Sequence, residues 1–379
     1  MKLNDDIEKL FKIFKENNFK LYIIGGAVRN YLLSRPIDDY DFATSATPDE
    51  IIKILVGYKL DTYQSKLGSI KVHINKRIYE ITTFRKELGV KDIRYPEKTL
   101  FVSCIEEDVV RRDFTVNTLA YNPDCGIVDC LNGINDLMLK RIRFVKDTVE
   151  SINEDPIRLI RALRFSLLLG FSISEEDLEL FNNYAYLVEK LGKIKYDELF
   201  KLFKIIGCKK FILKYFNIYK QVYKELDNEM FKNVLNSDID DDLLRYIVAV
   251  NIDDYSLLSF NKIDKIIIKG LKSIDVINDD LYYTKLLMIE YKELLDKILV
   301  LIKYLNNYPS KIIDNIKLIK SENHCLNVKD LKITYLDLEM LNIPKNEYAK
   351  VFNYLFNIVL KDNSLNNYEQ LIEIIKKGY

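Results

Sequence analysis

The sequence predicts an α+β protein, a mixed α/β head followed by an all-helical remainder. Three observations carry this. Short apolar runs of strand length recur up to Thr82, and helical patterning dominates from Ser151 onward. An acidic pair also sits just behind a strand–glycine–helix turn, in the stretch Leu21–Ala43, LYIIGGAVRNYLLSRPIDDYDFA. Leu21–Ile24 reads as a short buried strand. It stops at Gly25-Gly26, where backbone without Cβ atoms can turn tightly and approach a ligand. Ala27–Leu33 has helical patterning, Pro36 ends it, and Asp39-Tyr40-Asp41 opens a second apolar stretch.

In a strand, residues two apart point to one face, so Asp39 and Asp41 are expected to project side by side. Adjacent carboxylates repel unless a cation lies between them. A hard, oxygen-seeking ion such as Mg²⁺ removes that conflict. A lone DxD also suits a solvated loop. With GG-x-V-R before it, on a strand-turn-helix, the metal reading is the stronger one.

Composition narrows the class. The 379 residues suggest two or three domains, and 48% hydrophobic with 30% charged residues is ordinary for a globular protein. The 57 basic and 57 acidic residues cancel, so a nucleic-acid surface must be a local patch. Five scattered cysteines form no framework, and Cys125 and Cys130 lack a second pair at zinc spacing. They read as free thiols, consistent with a cytoplasmic location. The start is an amphipathic helix with acids where a signal peptide would be apolar, and no run is long enough to span a membrane.

Taken in order, residues 1–17 suggest a helix before the first strand. Thr47-Pro48-Asp49-Glu50 is a helix start, with Thr47 as N-cap. Lys59–Tyr63, Gly68–Ile74 and Arg77–Thr82 read as strands. Ile78, Glu80 and Thr82 share a face in the last of these. Glu80 is therefore either a third carboxylate beside the pair or an exposed glutamate on an edge strand. Phe84–Ser103 has no sustained period and reads as a long charged loop, Ile105–Tyr121 returns to helix, and Asp129–Arg143 is a turn with a short helix. Between Lys190 and Lys224 ten lysines face two acids, interleaved with aromatics whose helical spacing assigns them to core. The lysines are candidates for a phosphate-tracking face. Asp238–Asp242 reads as an exposed connection, and Asn306-Asn307, Pro309 and Asn363–Asn367 lie at helix breaks.

Four ordered motifs resemble one family, the class II tRNA nucleotidyltransferases (CCA-adding enzymes) and bacterial poly(A) polymerases. They are GGAVRN with Asp39 and Asp41, RRDFTVN (Arg111–Asn117), D-x3-G-x2-D-L (Asp129, Gly133, Asp136, Leu137) and EDPIRLIRALRF (Glu154–Phe165). Asn30 stands where the family usually has Asp. The segment around Pro344 is similar in layout to the CCA-adding tail without its usual glycines. With only His73 and His324, the chain holds no HD-type phosphohydrolase domain of the kind some relatives append. The resemblance implies a nucleotidyltransferase head over 1–147, a helical neck with a nucleotide-reading helix over 148–225, and a tRNA-binding body and tail over 226–379.

It also implies the chemistry. Two divalent ions, Mg²⁺, on Asp39 and Asp41 would activate a 3′-hydroxyl and stabilise pyrophosphate, with Glu80 near the incoming hydroxyl. Gly26 would let backbone approach the triphosphate, and Arg29 and Arg112 would neutralise it. Asp155 and Arg158, three apart on a helix, are expected to read the amino group and ring acceptor shared by cytosine and adenine. Arg161 and Arg164 extend that row. Three cations near a helix start oppose the macrodipole, which points to a ligand. The competing reading makes Asp155 a cap before Pro156 and Ser151-x-x-Glu154 a capping box.

Phe84–Asp108, with Arg94, Tyr95 and Pro96, has the length of the loop that C-only enzymes lack. Arg143–Asp147 stands where poly(A) polymerases carry Gly-basic-basic-Phe. The expectation is CCA addition to tRNA from CTP and ATP, without a membrane and with no protein partner legible. An A-adding enzyme or poly(A) polymerase is the alternative; an antibiotic nucleotidyltransferase or a non-catalytic RNA-binding relative is remoter.

Overall fold

A computed structural model describes residues 1, 3–89, 97–252, 256, 258–278, 280–305 and 309–378. The loop residues Arg94, Tyr95 and Pro96 and the expected break at Asn306-Asn307 lie outside the described residues. The chain forms two compact units, Met1–Asp227 and Asn228–Tyr379.

The first unit opens with α1 (Asp5–Glu16), capped by Asn4, whose side chain accepts from the Ile7 amide. Seven strands follow in one sheet: β1 (Leu21–Ile24), β2 (Asp41–Thr44), β3 (Lys59–Asp61), β4 (Ser69–Ile74), β5 (Arg77–Thr83), β8 (Ala120–Asn122) and β9 (Gly126–Val128). Their order is β3-β4-β5-β2-β1-β8-β9. The β2–β5 pair is parallel, with Asp41 level with Glu80, and its neighbours are antiparallel. Helices α2 (Gly26–Leu32) and α3 (Pro48–Ile54) lie between the early strands. Thr47 and Glu50 form the capping box of α3.

Alternation sorts the faces. Phe42, on one face, meets Phe11 of α1 and Tyr79. On the other, Tyr22, Ile24, Ala43 and Ala120 pack with Phe84 and with Ile105 and Val109 of α4 (Ile105–Val109). Asp41 belongs by alternation to this second face, at the mouth of the sheet.

Three expectations change here. Phe84–Ser103 is not structureless: β6 (Arg85–Leu88) and β7 (Lys98–Phe101) pair antiparallel. A polar hairpin is held by backbone bonds and leaves no apolar period to read. Ile105–Tyr121 is not one helix either. Beyond Val109 the chain turns, because Arg111 and Arg112 fold back onto Asp108 and the Thr115 amide bonds to the Arg143 carbonyl. Glu80 is not on an edge, since β5 is flanked by β4 and β2.

From α5 (Gly133–Met138) the first unit is helical: α6 (Thr148–Glu154), α7 (Ile157–Leu169), α8 (Glu175–Glu189), α9 (Lys193–Phe203), α10 (Cys208–Lys214) and α11 (Phe216–Val222). Asp147, not Ser151, caps the N-terminus of α6, so the Ser151–Glu154 capping box does not form. Asp155 ends α6, and its side chain still accepts from the Ile157 amide (3.3 Å). Tyr196, Phe200, Phe203, Tyr219 and Tyr223 are buried, as helical spacing predicts, whereas Phe211, Tyr215 and Phe216 are only half-buried. Lys195 is buried too, donating to the Val222 carbonyl (2.7 Å), and so leaves the lysine face.

The second unit is all helix: α12 (Glu229–Leu235), α13 (Leu244–Val250), α14 (Lys262–Ser273), α15 (Leu281–Tyr291), α16 (Leu294–Leu305), α17 (Ser310–Ser321), α18 (Tyr335–Met340), α19 (Tyr348–Lys361) and α20 (Tyr368–Gly378). Its last part has its own core around Cys325, Leu338, Phe352, Leu355 and Leu371. All five cysteines are free thiols. Among the described residues no helix is long and apolar enough to cross a membrane.

Candidate active site

A cleft of about 610 Å³ opens in the first unit, lined by residues from every motif but the third. Gly25, with φ +65°, begins the turn into α2, and Gly26 lies beside it on the wall. Asp41 stands at the start of β2. Its partner Asp39 is not on the strand, which begins only at Asp41, and belongs to the exposed approach to it. The two carboxylates still act on each other. The protein crowded around Asp41, then Glu80 and Asp39, push its pKa up, against the pull of Arg112.

This donor set fits a hard divalent ion. Mg²⁺ takes one or two carboxylates and fills its remaining positions with water and substrate phosphate. Asp39 and Asp41 supply such a pair, and a cation there would cancel the repulsion that now disfavours the ionised Asp41. Glu80 accepts a hydrogen bond from Ser69 (2.6 Å) and lies 3.9 Å from the Lys71 ammonium. Among the described residues no three His, Cys, Asp or Glu side chains are gathered as a ready-made metal cluster.

The opposite walls are arginine-rich. Asp108, fully buried, takes Arg111 on one oxygen and Arg112 on the other, both at 2.8 Å. Burial works to raise its pKa, but the two guanidiniums hold it below the usual carboxylate range. Each arginine commits two of its five N–H groups to Asp108, and both residues line the cleft. Arg85 and Glu87, from β6, complete this side. Glu87 accepts from Arg85 (2.9 Å) and lies 3.7 Å from Arg111.

The third wall is the N-terminal end of α7, with Asp155, Arg158 and Arg161. Arg158 donates to Glu154 (3.0 Å), to the Arg111 carbonyl (2.9 Å) and weakly to the Ser151 carbonyl. Among the described residues, these bonds leave its Nε–H and one Nη2–H uncommitted. Arg161 donates to Asp113 (2.6 Å), whose pKa burial works to raise and Arg161 holds down. Arg164 donates to buried Glu198 of α9 (2.7 Å), which also lies 3.8 Å from Arg161. The row of cations is thus balanced by Glu154, Asp113 and Glu198. The macrodipole conflict expected to demand a ligand is met largely inside the protein.

Arg29 and Arg164 are buried and do not line the cleft. Arg29 donates to Asn117 (2.6 Å) and to the Asn30 side chain, and burial lowers its pKa to about 10. Asn117 donates in turn to Asp113 (3.1 Å). The ring of Phe165 has Arg29, Arg161 and Arg164 at 5.3, 5.6 and 4.5 Å. The Asn30 oxygen accepts from Arg29, and its amide donates to the Pro36 carbonyl (3.0 Å), a bond that a carboxylate could not make.

The third motif is scaffold. Asp129 accepts from the Gly133 and Ile134 amides, opening α5. Gly133 sits where a Cβ would overlap the Thr115 carbonyl. Buried Asp136 gathers Thr115, Arg141 and Arg143. Sequence reasoning missed Asp108, Asp113, Glu198, Arg85 and Asn117. The one available signal for Glu198 was its place as one of two acids in a lysine-rich stretch.

Residues 21–143, which span the sheet and its arginine wall, match the family described as the poly A polymerase head domain. Among curated proteins, the CCA-adding enzyme of Leuconostoc citreum (strain KM20) is 44% identical over 174 residues, 46% of this chain and 43% of its own length. That of Streptococcus uberis is 40% identical over 207 residues, 54% of this chain and 51% of its own. The chain thus spans about half the length of the curated relatives it matches. A crystal structure of the Bacillus stearothermophilus CCA-adding enzyme with CTP shares the fold, with TM-score 0.63 over 99% of this chain and 98% of that one at 20% identity. A Thermotoga maritima CCA-adding enzyme complexed with tRNA has TM-score 0.59 over 99% and 96% at 21% identity.

Proposed function

We propose that this protein is a CCA-adding tRNA nucleotidyltransferase, a cytoplasmic enzyme that extends tRNA 3′ ends with C, C and A from CTP and ATP without a nucleic-acid template. The observation that carries it is one cleft holding an acidic strand end, a wall of arginines and a helix end with paired Asp155 and Arg158. Curated relatives named as CCA-adding enzymes support the choice within the class.

Asp39 and Asp41 would hold Mg²⁺, which supplies an activated 3′-hydroxyl and charge compensation for the leaving pyrophosphate. The chain's own groups do the rest. Gly25 and Gly26 leave room for phosphate close to the backbone. Arg111 and Arg112, oriented by Asp108, present fixed N–H donors to the triphosphate and need little reorganisation as charge develops there. The Asp155 carboxylate accepts from the exocyclic amine of C or A, and the two uncommitted N–H groups of Arg158 donate to the ring acceptor. Uracil and guanine set a carbonyl against that carboxylate. One good bidentate match is worth about 1–3 kcal/mol, enough to select C and A without a template.

The test is incubation of the full chain with tRNAs lacking CCA, CA or A, and with each nucleoside triphosphate alone. CTP should enter the first two and ATP only the tRNA ending in CC. Use of ATP with no use of CTP would reassign the protein as A-adding, and long A tails as a poly(A) polymerase.

A further inference from the structure

The far end of α7 is held by a residue that no motif of the cleft explains. A helix leaves its last four carbonyls without intrahelical partners. In α7 these belong to Ser166, Leu167, Leu168 and Leu169. The Gly170 amide, in the left-handed region, serves Ser166 and Leu167, and the Phe171 amide serves Ser166 again. Leu168 and Leu169 are satisfied by Arg35, whose Nη1 and Nη2 each donate at 3.0 Å. A guanidinium is suited to this place, since its fork spans two carbonyls and its charge meets the negative end of the helix.

Arg35 lies on the segment that runs from α2 to Asp39 and Asp41, and this segment is tied along its length. The Arg35 amide donates to the Asn30 carbonyl (2.9 Å), and the Asn30 side chain holds the Pro36 carbonyl. Asn30 in turn receives Arg29, which packs over Phe165 of α7. The approach to the carboxylate pair is therefore fastened to the same helix whose other end carries Arg158 and Arg161.

We propose that Arg35 is a positioning residue for nucleotide selection, fixing the tilt of α7 relative to the Asp39–Asp41 pair through the Leu168 and Leu169 carbonyls. This rests on the function proposed above. A helix of 13 residues is about 20 Å long, so a small tilt at one end displaces the other appreciably. Asp155 and Arg158 must meet the base edge while the α-phosphorus stays beside the carboxylates. Because Arg35 is exposed, its loss should cost the fold little.

Arg35→Gln and Arg35→Lys in the full chain test this, with kcat and KM measured for CTP, ATP and UTP on truncated tRNA, alongside Tm. Misplacement of reacting groups by about an ångström costs up to about a hundredfold, so Arg35→Gln should lower kcat/KM for CTP and ATP by about tenfold. It should also narrow the preference for CTP over UTP, with little change in Tm. Arg35→Lys should recover part of both, since an ammonium carries the charge without the fork. Unchanged discrimination in Arg35→Gln would overturn the inference, as would a fall in Tm alone. An inactive unmodified protein would instead refute the function proposed above.

Discussion

The two units use charge in opposite ways. In Met1–Asp227 the ionisable side chains are drawn inward: Asp108, Asp136 and Glu198 are buried and each holds at least two cations. In Asn228–Tyr379 the pairs Lys269–Glu290, Lys317–Asp314 and Lys377–Glu373 sit in solvent, and only a few charges go inward, Asp264 beside Arg245 and Lys285 on the Leu360 carbonyl among them. Burying a charge is expensive unless it is paired, so a protein gains from it chiefly where fixed geometry matters. The first unit accepts that cost to aim arginines into a cleft. Ion pairs of the second mostly decorate helices whose stability comes from apolar faces.

The comparison can be broken at several points. The largest effect is expected from Asp41→Asn, which removes a carboxylate from the proposed metal pair. Nucleotide addition should fall about a thousandfold or more, while the fold, read by circular dichroism, persists. Activity near that of the unmodified protein would show that the cleft chemistry lies elsewhere.

Next is Asp108→Asn, which leaves Arg111 and Arg112 without their shared anion. Breaking a buried pair costs about 3–5 kcal/mol, and the lower end applies because the two arginines are 18% and 16% exposed and can rehydrate. Denaturant titration measures this. A change under about 1 kcal/mol would mean the network is not under tension.

Acid provides a graded version. Asp108, Asp113, Asp136, Glu154 and Glu198 all have pKa values held below their ordinary ones. A lowered native pKa gives stability that is complete above the unfolded value of about 4 and is lost as pH falls through the native one. Asp41, raised instead, works in the opposite sense, since its protonation relieves first the burial of its charge and then the repulsion from Glu80 and Asp39. Hydrogen exchange between about pH 5 and pH 3 should therefore show α7 losing protection before α14. Simultaneous loss in both helices would contradict the contrast. The smallest effect is expected from Lys317→Ala, within about 0.5 kcal/mol by thermal melting, because its partner Asp314 is as exposed as it is.

The same contrast explains what the sequence could disclose. The head, the glycine turn and Asp41 were legible from neighbours within a few residues, as were the helices from α6 onward. Asp155 and Arg158 were legible as residues three apart, but the bond from Arg158 to the Arg111 carbonyl, 47 positions away, was not. The β6–β7 hairpin was not, since a ladder of backbone bonds between polar strands leaves no period in the side chains. Asp113, Glu198 and Arg35 were hidden for another reason: their partners Arg161, Arg164 and the Leu168 carbonyl lie 48, 34 and 133 positions away. The cation row of α7 was seen, but the acids that answer it were not, so it looked more dependent on a ligand than it is. Arg29 was expected to neutralise the triphosphate, and its burial against Asn117 was hidden for the same reason, Asn117 lying 88 positions on.

The parallel pairing of β2 with β5 has one more consequence. Tyr79, Ile81 and Thr83 are buried while Ile78, Glu80 and Thr82 are at least partly exposed, with Glu80 level with Asp41 and Thr82 with Ala43. A slip of one residue would exchange these rows, burying a carboxylate and exposing Ile81. The mistake that would most disturb the cleft is thus also among the most costly for the chain to make.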